Sequence, residues 1–277
     1  MNIILKNTYA SVRLSGKRRG NYVIKEALGL GVNNFNYDCI SYYNMNGQET
    51  LAKTYPSRVI TISCDIIGNN KFLKKQILDV FRKEGTLFLE NEGSTKMISY
   101  KPSVLEFEKG YGPIKPFVMQ IECDNPIWED VNDIIKSIYH QEKCISSPFT
   151  LPAVFSLRIN KTEIINNGDE TAFPVICLKL NSVNKTNCVL NIINHTTNKS
   201  LAIDCACNKS MTIYINTKTR EIYTDENDNT LSYLAQGALG DFYLDIGANE
   251  IEVINNNPNV TLDANITYKC CYSYGMI

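Results

Sequence analysis

Cysteine and histidine form many metal and acid–base sites, and this chain has ten cysteines but only two histidines. Cys205 and Cys207 lie on a predicted strand, where both thiols point to one face and could share a metal. A zinc site needs a second such pair. Cys270-Cys271 does not supply it, because adjacent strand residues point to opposite faces. We therefore favour buried free thiols and predict no metal site.

Two charged loops match ligand-binding motifs only in part. Residues 225–229 begin like a calcium loop, but Thr230 stands where that loop requires glycine, and Gln236 stands where it requires a bidentate glutamate. A polar hairpin turn is the better interpretation. The basic run at residues 17–19 is interpreted as a solvated loop rather than a phosphate site.

Catalytic motifs are also missing from the sequence. Gly29 and Gly31 are not followed by the third glycine of a dinucleotide-binding fingerprint, and neither a Walker A motif nor Gly-x-Ser-x-Gly occurs. His140 and His195 are predicted at the surface. A glycosidase would need only two carboxylates, but the sequence nominates no pair. We predict no catalytic residue, no cofactor-binding residue and no enzymatic activity.

Length and composition limit the number of domains and the class of partner that this chain can have. The chain has 277 residues, and at roughly 150 residues per domain this length favours two domains. The 28 Lys and Arg residues balance 29 Asp and Glu residues, which disfavours a nucleic-acid partner held by charge. No stretch reaches the roughly 18 apolar residues of a membrane span, and no apolar leader is present, so we expect reduced cysteines in a cytosol.

Hydrophobic residues alternate with polar residues along most of the chain, which predicts a mostly β protein. The last predicted strand is long, with Ile266, Tyr268 and Tyr274 on one apolar face. The predicted strands are residues 59–66, 117–123, 173–180, 188–193, 201–207, 211–215, 249–254 and 260–274.

Helical spacing of apolar residues occurs in two stretches. Residues 71–83 predict an amphipathic helix, with Gly85 as its C-cap, and residues 130–139 predict a second, shorter helix. Proline and serine breaks follow that second stretch and indicate an interdomain connection. The resulting division has three parts: 1–128, 129–150 and 151–277.

Four sequence phrases, in order, resemble the siphophage distal tail protein family over nearly the whole chain. An Arg-led strand at residues 57–67 enters a Gly-Asn-Asn turn and one amphipathic helix, and a later strand ends in Cys-Asp-Asn-Pro-Ile-Trp at 123–128. Residues 166–174 are similar to Asn-x-Gly-Asp-x-x-Thr-x-Pro. Residues 242–251 are similar to Phe-x-Leu-x-x-Gly-x-Asn-x-Ile.

The resemblance implies an N-terminal β-sandwich with one amphipathic helix and an arm, followed by a C-terminal galectin-like β-sandwich. It implies a homohexameric ring that acts as a hub at the virion tail tip and is assembled in the bacterial host cytoplasm. The partners implied are the major tail protein, the tape measure, and the tail-associated lysin or receptor-binding proteins.

Residues 21–55 are the candidate arm that reaches a neighbouring subunit, because they hold several aromatic residues in an Asn- and Gly-rich context. The alternative is that these side chains pack on their own domain. The oligomer-interface candidates are Phe35, Tyr37, Ile40, Tyr42 and Tyr43.

An alternative function is a saccharide-binding module that contacts cell-wall glycan. Tyr214, Tyr223 and Tyr233 could stack on sugars, although tyrosines on strands more often pack against a neighbouring strand. Trp128, the only tryptophan, is expected to anchor the domain junction rather than a sugar.

Overall fold

The protein is mostly β, as the sequence predicts, and it divides into two compact units. The computed structural model describes residues 1–17, 20–44, 46–68, 71–109, 112–143, 156–182, 186–207, 210–227, 229–257 and 259–276. Unit 1 comprises Met1–Val131 and Tyr272–Ile277, and unit 2 comprises Asn132–Cys271. The chain therefore leaves unit 1 once and returns to it at its end. The division into domains 1–128 and 151–277 with a connection at 129–150 stays a prediction.

Unit 1 is built on one large sheet that closes on itself. The strand order is β22-β10-β8-β7-β1-β2-β3-β6-β9, and β8 also pairs with β9. Strand β8 is long enough to do both, because its first half pairs with β7 and its second half with β9. The strands are β1 (Asn2–Lys6), β2 (Ser11–Ser15), β3 (Tyr22–Leu28), β4 (Asn36–Ile40), β5 (Glu49–Thr54), β6 (Arg58–Ile67), β7 (Gly85–Asn91), β8 (Ser94–Phe107), β9 (Ile114–Cys123), β10 (Trp128–Asp130) and β22 (Cys271–Tyr272).

The predicted helix is present as α1 (Lys71–Phe81), which buries Leu73, Ile77 and Val80. Its final carbonyl groups accept hydrogen bonds from the Asn7 amide, at 2.9 Å from Asp79 O and 3.0 Å from Val80 O. These bonds satisfy groups that the helix itself leaves unpaired. Gly85 is not the predicted C-cap, because the helix ends earlier and Gly85 begins β7. Among the described residues, no helix is long and apolar enough to cross a membrane.

The core of unit 1 comes from the inward faces of these strands. Ile60, Ile62 and Cys64 of β6 face inward together with Phe117 and Met119 of β9, and all five are almost completely buried. The period-two pattern of the sequence therefore predicts these two strands correctly.

Strands β4 and β5 form a separate two-stranded sheet that departs from the barrel-like sheet. They lie within the segment predicted as an arm. We call residues 36–54, which comprise both strands and their connection, the hairpin.

Unit 2 is a β-sandwich of two antiparallel sheets, with orders β12-β11-β21-β14-β17-β18 and β13-β20-β15-β16-β19. Ile176 and Leu178 of the first sheet and Leu190 and Ile192 of the second are fully buried. The strands are β11 (Ile134–Lys143), β12 (Ser156–Ile159), β13 (Lys161–Asn166), β14 (Val175–Ser182), β15 (Thr186–Asn194), β16 (Lys199–Cys207), β17 (Ser210–Asn216), β18 (Glu221–Thr224), β19 (Leu234–Gln236), β20 (Gly247–Asn255) and β21 (Val260–Tyr268).

The predicted helix at residues 130–139 is wrong, because these residues end β10 and begin β11. Strand β11 pairs with β21, and its register shifts between Ser137 and Tyr139. This bulge buries both Ile138 and Tyr139, which are consecutive in the chain. An apolar pattern that breaks strict alternation resembles helical spacing, which explains the error.

The predicted final strand is correct only as far as Tyr268. Beyond it, Cys271 and Ser273 are buried and Tyr272 and Tyr274 are half-buried, which reverses the predicted faces. The Cys271 carbonyl accepts the backbone amides of Asp169 and Glu170 at 3.0 and 3.1 Å. These bonds divert the chain away from the β21 ladder and toward unit 1.

Candidate functional site

The hairpin exposes apolar side chains without a core of its own. Every described residue from 36 to 54 is exposed to solvent. Tyr43 has 96% of its surface exposed, and the large hydrophobic side chains of Tyr37, Ile40 and Tyr42 are also exposed. An isolated two-stranded hairpin is marginally stable in water. The hairpin therefore exposes apolar surface that its own two strands do not cover.

Phe35, the fifth interface candidate, has a different environment. It is half-buried at the base of the hairpin, with its ring centroid 4.8 Å from that of Tyr55 and 6.2 Å from that of Tyr37. The Lys53 ammonium lies 3.5 Å from the centroid of the Phe35 ring. Phe35 thus packs against other side chains at the base, while the other four candidates are exposed to solvent.

Leu51 belongs to the same exposed surface but was not predicted from the sequence. It lies on β5 with 63% of its surface exposed. A single leucine beside alanine carries no local signal for exposure. Only the separation of β4 and β5 from the other strands reveals it.

The root of the hairpin is fastened by Arg58, the first residue of β6, which is almost fully buried. Its guanidinium donates hydrogen bonds to the carbonyl oxygens of Gly29 at 2.8 Å and Gly31 at 2.6 Å, which precede the hairpin. It also donates to Pro126 O at 2.9 Å and Ser273 O at 2.6 Å. Burial lowers the pKa of Arg58 from its usual value, and these four acceptors compensate the buried charge.

A short polar contact closes the same root. The Asn33 side-chain amide donates to Pro56 O at 2.9 Å, which joins the segment before the hairpin to the segment after it. In the sequence, Arg58 stands out only as the start of a family phrase, since nothing local indicates what a buried arginine binds.

The cysteines do not form a metal site among the described residues. Cys205 and Cys207 are buried on one face of β16, and Cys188 faces Cys205 across the β15–β16 ladder. Burial raises the pKa of Cys64, Cys123 and Cys205 from the ordinary value of 9.0 to about 12. These groups are therefore neutral thiols at physiological pH.

Thiol titration should distinguish Cys39 from the buried cysteines. Cys39 is exposed, whereas a pKa near 12 lowers the thiolate fraction of a buried thiol about 1000-fold. We expect Cys39 to react at once with an aromatic disulfide reagent, and the buried cysteines to react only after guanidinium is added. Both proteins carry Cys144→Ser, because Cys144 lies outside the described residues, and Cys39→Ser is the control that should remove the fast reaction. Rapid reaction of most thiols in the native protein, or stoichiometric bound zinc, would contradict this account.

The two partial loop motifs are turns or fall outside the described residues. The amide of Thr224 donates to Asn227 O at 2.8 Å, which closes a turn at the start of the calcium-like sequence. Of the basic run, Arg18 and Arg19 lie outside the described residues.

Both histidines lie at the surface, as predicted, and each contacts a carboxylate. His140 Nδ1 is 2.7 Å from Asp263, and His195 Nε2 is 2.8 Å from Glu252. His140 lies on β11, and His195 lies in the turn that follows β15.

The tyrosines considered for sugar binding are engaged within unit 2. Tyr214 and Tyr223 face each other across β17 and β18, with ring centroids 5.0 Å apart and an angle of 15° between the rings. Tyr233 is half-buried in a short 3₁₀ turn. Trp128 is fully buried within unit 1, so a sugar cannot reach its ring.

Solved structures of phage proteins have a similar architecture. The protein is similar to the crystal structure of the Dit protein (gp 19.1) of phage SPP1, with a TM-score of 0.64, 11% identity, and coverage of 91% of this chain and 93% of that chain. The chain has the fold of a phage distal tail protein. This finding confirms, at the level of the fold, the resemblance drawn from the sequence phrases.

A second similar structure comes from a phage baseplate. A chain of the phage P2 baseplate, in its activated conformation with Ca, gives a TM-score of 0.50 at 14% identity, and the match covers 97% of this chain and 96% of that chain. Neither a protein-family model nor a curated protein sequence matches this chain. The SPP1 protein is described as a paradigm of the hub adsorption apparatus in phages that infect Gram-positive bacteria.

Proposed function

We propose that this protein is a structural hub of a phage or prophage tail tip, in which six copies form a ring. The observation that carries the proposal is the exposed hairpin on a chain of which 91% aligns with the structure of the SPP1 Dit protein. The hairpin of each copy contacts the unit 1 surface of the next copy and buries Tyr37, Ile40, Tyr42 and Tyr43 there.

Symmetry supports a closed ring over an open chain of subunits. A hairpin that docks on a different surface of its neighbour makes a head-to-tail contact, and such contacts either close into a ring or grow without limit. In a closed ring every hairpin contacts a neighbouring subunit, and no free hairpin remains to which a further subunit could add. Closure also protects the free strand edges of the hairpin from uncontrolled pairing.

In this proposal the protein has no enzymatic role and needs no cofactor. The ring joins the tail tube, made of the major tail protein, to the adsorption apparatus at the virion tail tip. Its other partners are the tape measure and the tail-associated lysin or receptor-binding proteins. Assembly takes place in the cytoplasm of the bacterial host. The hub of the SPP1 adsorption apparatus, which has the same fold, supports this assignment.

Gold-labelled antibodies against the purified chain test this assignment on virions released from the strain that encodes it. We expect the label at the end of the tail opposite the capsid. Label along the whole tail, on the capsid, or on no particle would contradict the proposed location. A virion that lacks a tail would contradict the proposal altogether.

A further inference from the structure

The end of the chain returns to unit 1 and contacts both sides of the hairpin root. The amides of Gly275 and Met276 donate to Leu30 O, at 2.8 and 3.2 Å, just before the hairpin. Ser273 O accepts a hydrogen bond from Arg58, just after the hairpin. One segment of five residues, 272–276, therefore holds the two flanks of the root together. We call this segment the strap.

Aromatic and ionic contacts fasten the strap to the barrel-like sheet. The Lys96 ammonium of β8 lies 3.9 Å from the ring centroid of Tyr272 and 4.0 Å from that of Tyr274. The same ammonium donates to Tyr274 O at 3.1 Å, and the Tyr272 hydroxyl donates to Asp130 at 3.2 Å. A cation between two aromatic rings stabilises the position of both.

Close packing at Gly275 shows how tightly the strap is seated. A Cβ atom at this position would lie 2.6 Å from Cε2 of Trp128 and 2.9 Å from Cδ2 of Leu89. Both side chains are fully buried, so neither can move aside without disturbing the core. Only glycine allows the strap backbone to approach the indole ring so closely.

We propose that the strap is a positioning device that fixes the direction in which the hairpin leaves the barrel. Strands β4 and β5 pair with each other, so the direction of the hairpin depends on its root. Leu30 and Arg58, on the two sides of that root, are both held by the strap. Releasing the strap leaves the hairpin folded but free to swing about residues 29–34 and 55–58.

The consequence for assembly rests on the proposed ring. A ring of fixed symmetry needs one defined angle between each hairpin and the body that carries it. A hairpin that samples many directions lowers the fraction of molecules competent to bind, and the apparent affinity falls by that fraction.

The test measures hairpin direction directly in the full-length chain. In a Cys144→Ser background, which removes the one cysteine outside the described residues, spin labels on the exposed Cys39 in the hairpin and on a cysteine introduced in β8 by Ser103→Cys report the distance between hairpin and barrel. Labelled chain is diluted into unlabelled chain, so that only distances within one subunit are read. We expect Gly275→Ala to broaden the distance distribution at least about twofold, because the added methyl group dislodges the strap.

Gly31→Ala is the matched control. Gly31 lies at the same root of the hairpin. An added Cβ there would meet no heavy atom within 4 Å apart from Gly31 and its chain neighbours, so Gly31→Ala should leave the distance distribution unchanged. Lys96→Met is a second test that changes no buried glycine, and it should broaden the distribution in the same direction. If Gly275→Ala fails to fold, the distance distribution of Lys96→Met alone tests the strap proposal.

Unchanged distributions in the strap variants, or equal broadening in Gly31→Ala, would overturn the strap proposal. Light scattering of the same samples reports assembly separately. If the wild-type chain stays monomeric while strap variants broaden the distribution, the ring proposal fails and the strap proposal stands.

Discussion

Replacing the hairpin with a short glycine–serine turn should abolish the proposed self-association without lowering the melting temperature of the monomer. Asn36 and Thr54 are paired at the base of the hairpin, so a turn of a few residues can join them. All described residues removed in this way are exposed, and none belongs to the core of unit 1. We expect the melting temperature to change by less than about 2 °C.

A double substitution makes the same test without a deletion. Tyr42→Ser with Tyr43→Ser should weaken self-association about 30-fold or more, which is the loss expected when central aromatic contacts of an interface are removed. The control is Ile246→Ser, because Ile246 is 56% exposed but belongs to unit 2, outside the hairpin and outside the proposed docking surface on unit 1. Light scattering over a concentration series measures the association. Equal weakening by the control variant would contradict a role for the hairpin.

A lysine in place of Ile266 should unfold unit 2 at much lower denaturant concentration. Ile266 is fully buried on β21, opposite Ile176 of β14 on one side and Lys136 of β11 on the other. A buried ammonium without a partner is strongly destabilising, and we expect a loss of about 4 kcal/mol in the free energy of unfolding. For a unit of this size the melting temperature should fall by about 10 °C.

Thr267→Lys is the matched control for this substitution. Thr267 is the next residue of the same strand and is half-buried on the opposite face, so its cost should stay below about 1 kcal/mol. Guanidinium unfolding followed by circular dichroism measures both variants. Similar midpoints for the two lysine variants would contradict the register of β21 in the sandwich.

Alternation of apolar residues predicts the strands that are buried on one face. Strands β6, β9 and β21 follow this pattern closely, because each has one face in a core and one face toward solvent. The helix α1 is equally clear, since Leu73, Ile77 and Val80 occupy one stripe. These elements depend on local pattern alone, which is why the sequence is sufficient to find them.

Elements that depend on distant contacts could not be predicted. The bulge in β11 buries neighbouring residues and imitates helical spacing, and only pairing with β21 shows that the segment is a strand. The end of the chain leaves β21 because the backbone at Asp169 and Glu170 binds Cys271 O. The bond between Arg58 and Ser273 joins residues 215 positions apart, and no local pattern encodes it.

The candidate site also combines features that local sequence predicts with features that depend on distant contacts. Of the segment predicted as an arm, the described residues from 36 to 54 are exposed, whereas Tyr22 and Ile24 are buried in β3 of the barrel-like sheet. That the exposed part reaches a neighbouring subunit stays a prediction.

The sequence does not separate Phe35, which braces the base, from Tyr42 and Tyr43, which are exposed. That difference depends on the ring contacts of Phe35 with Tyr55 and Lys53 across the base.

Negative-stain images of the purified full-length chain test the central proposal most directly. We expect rings of one constant diameter with six-fold symmetry, formed at high protein concentration without any other tail protein. A stable dimer or trimer, or monomers at every concentration, would contradict it.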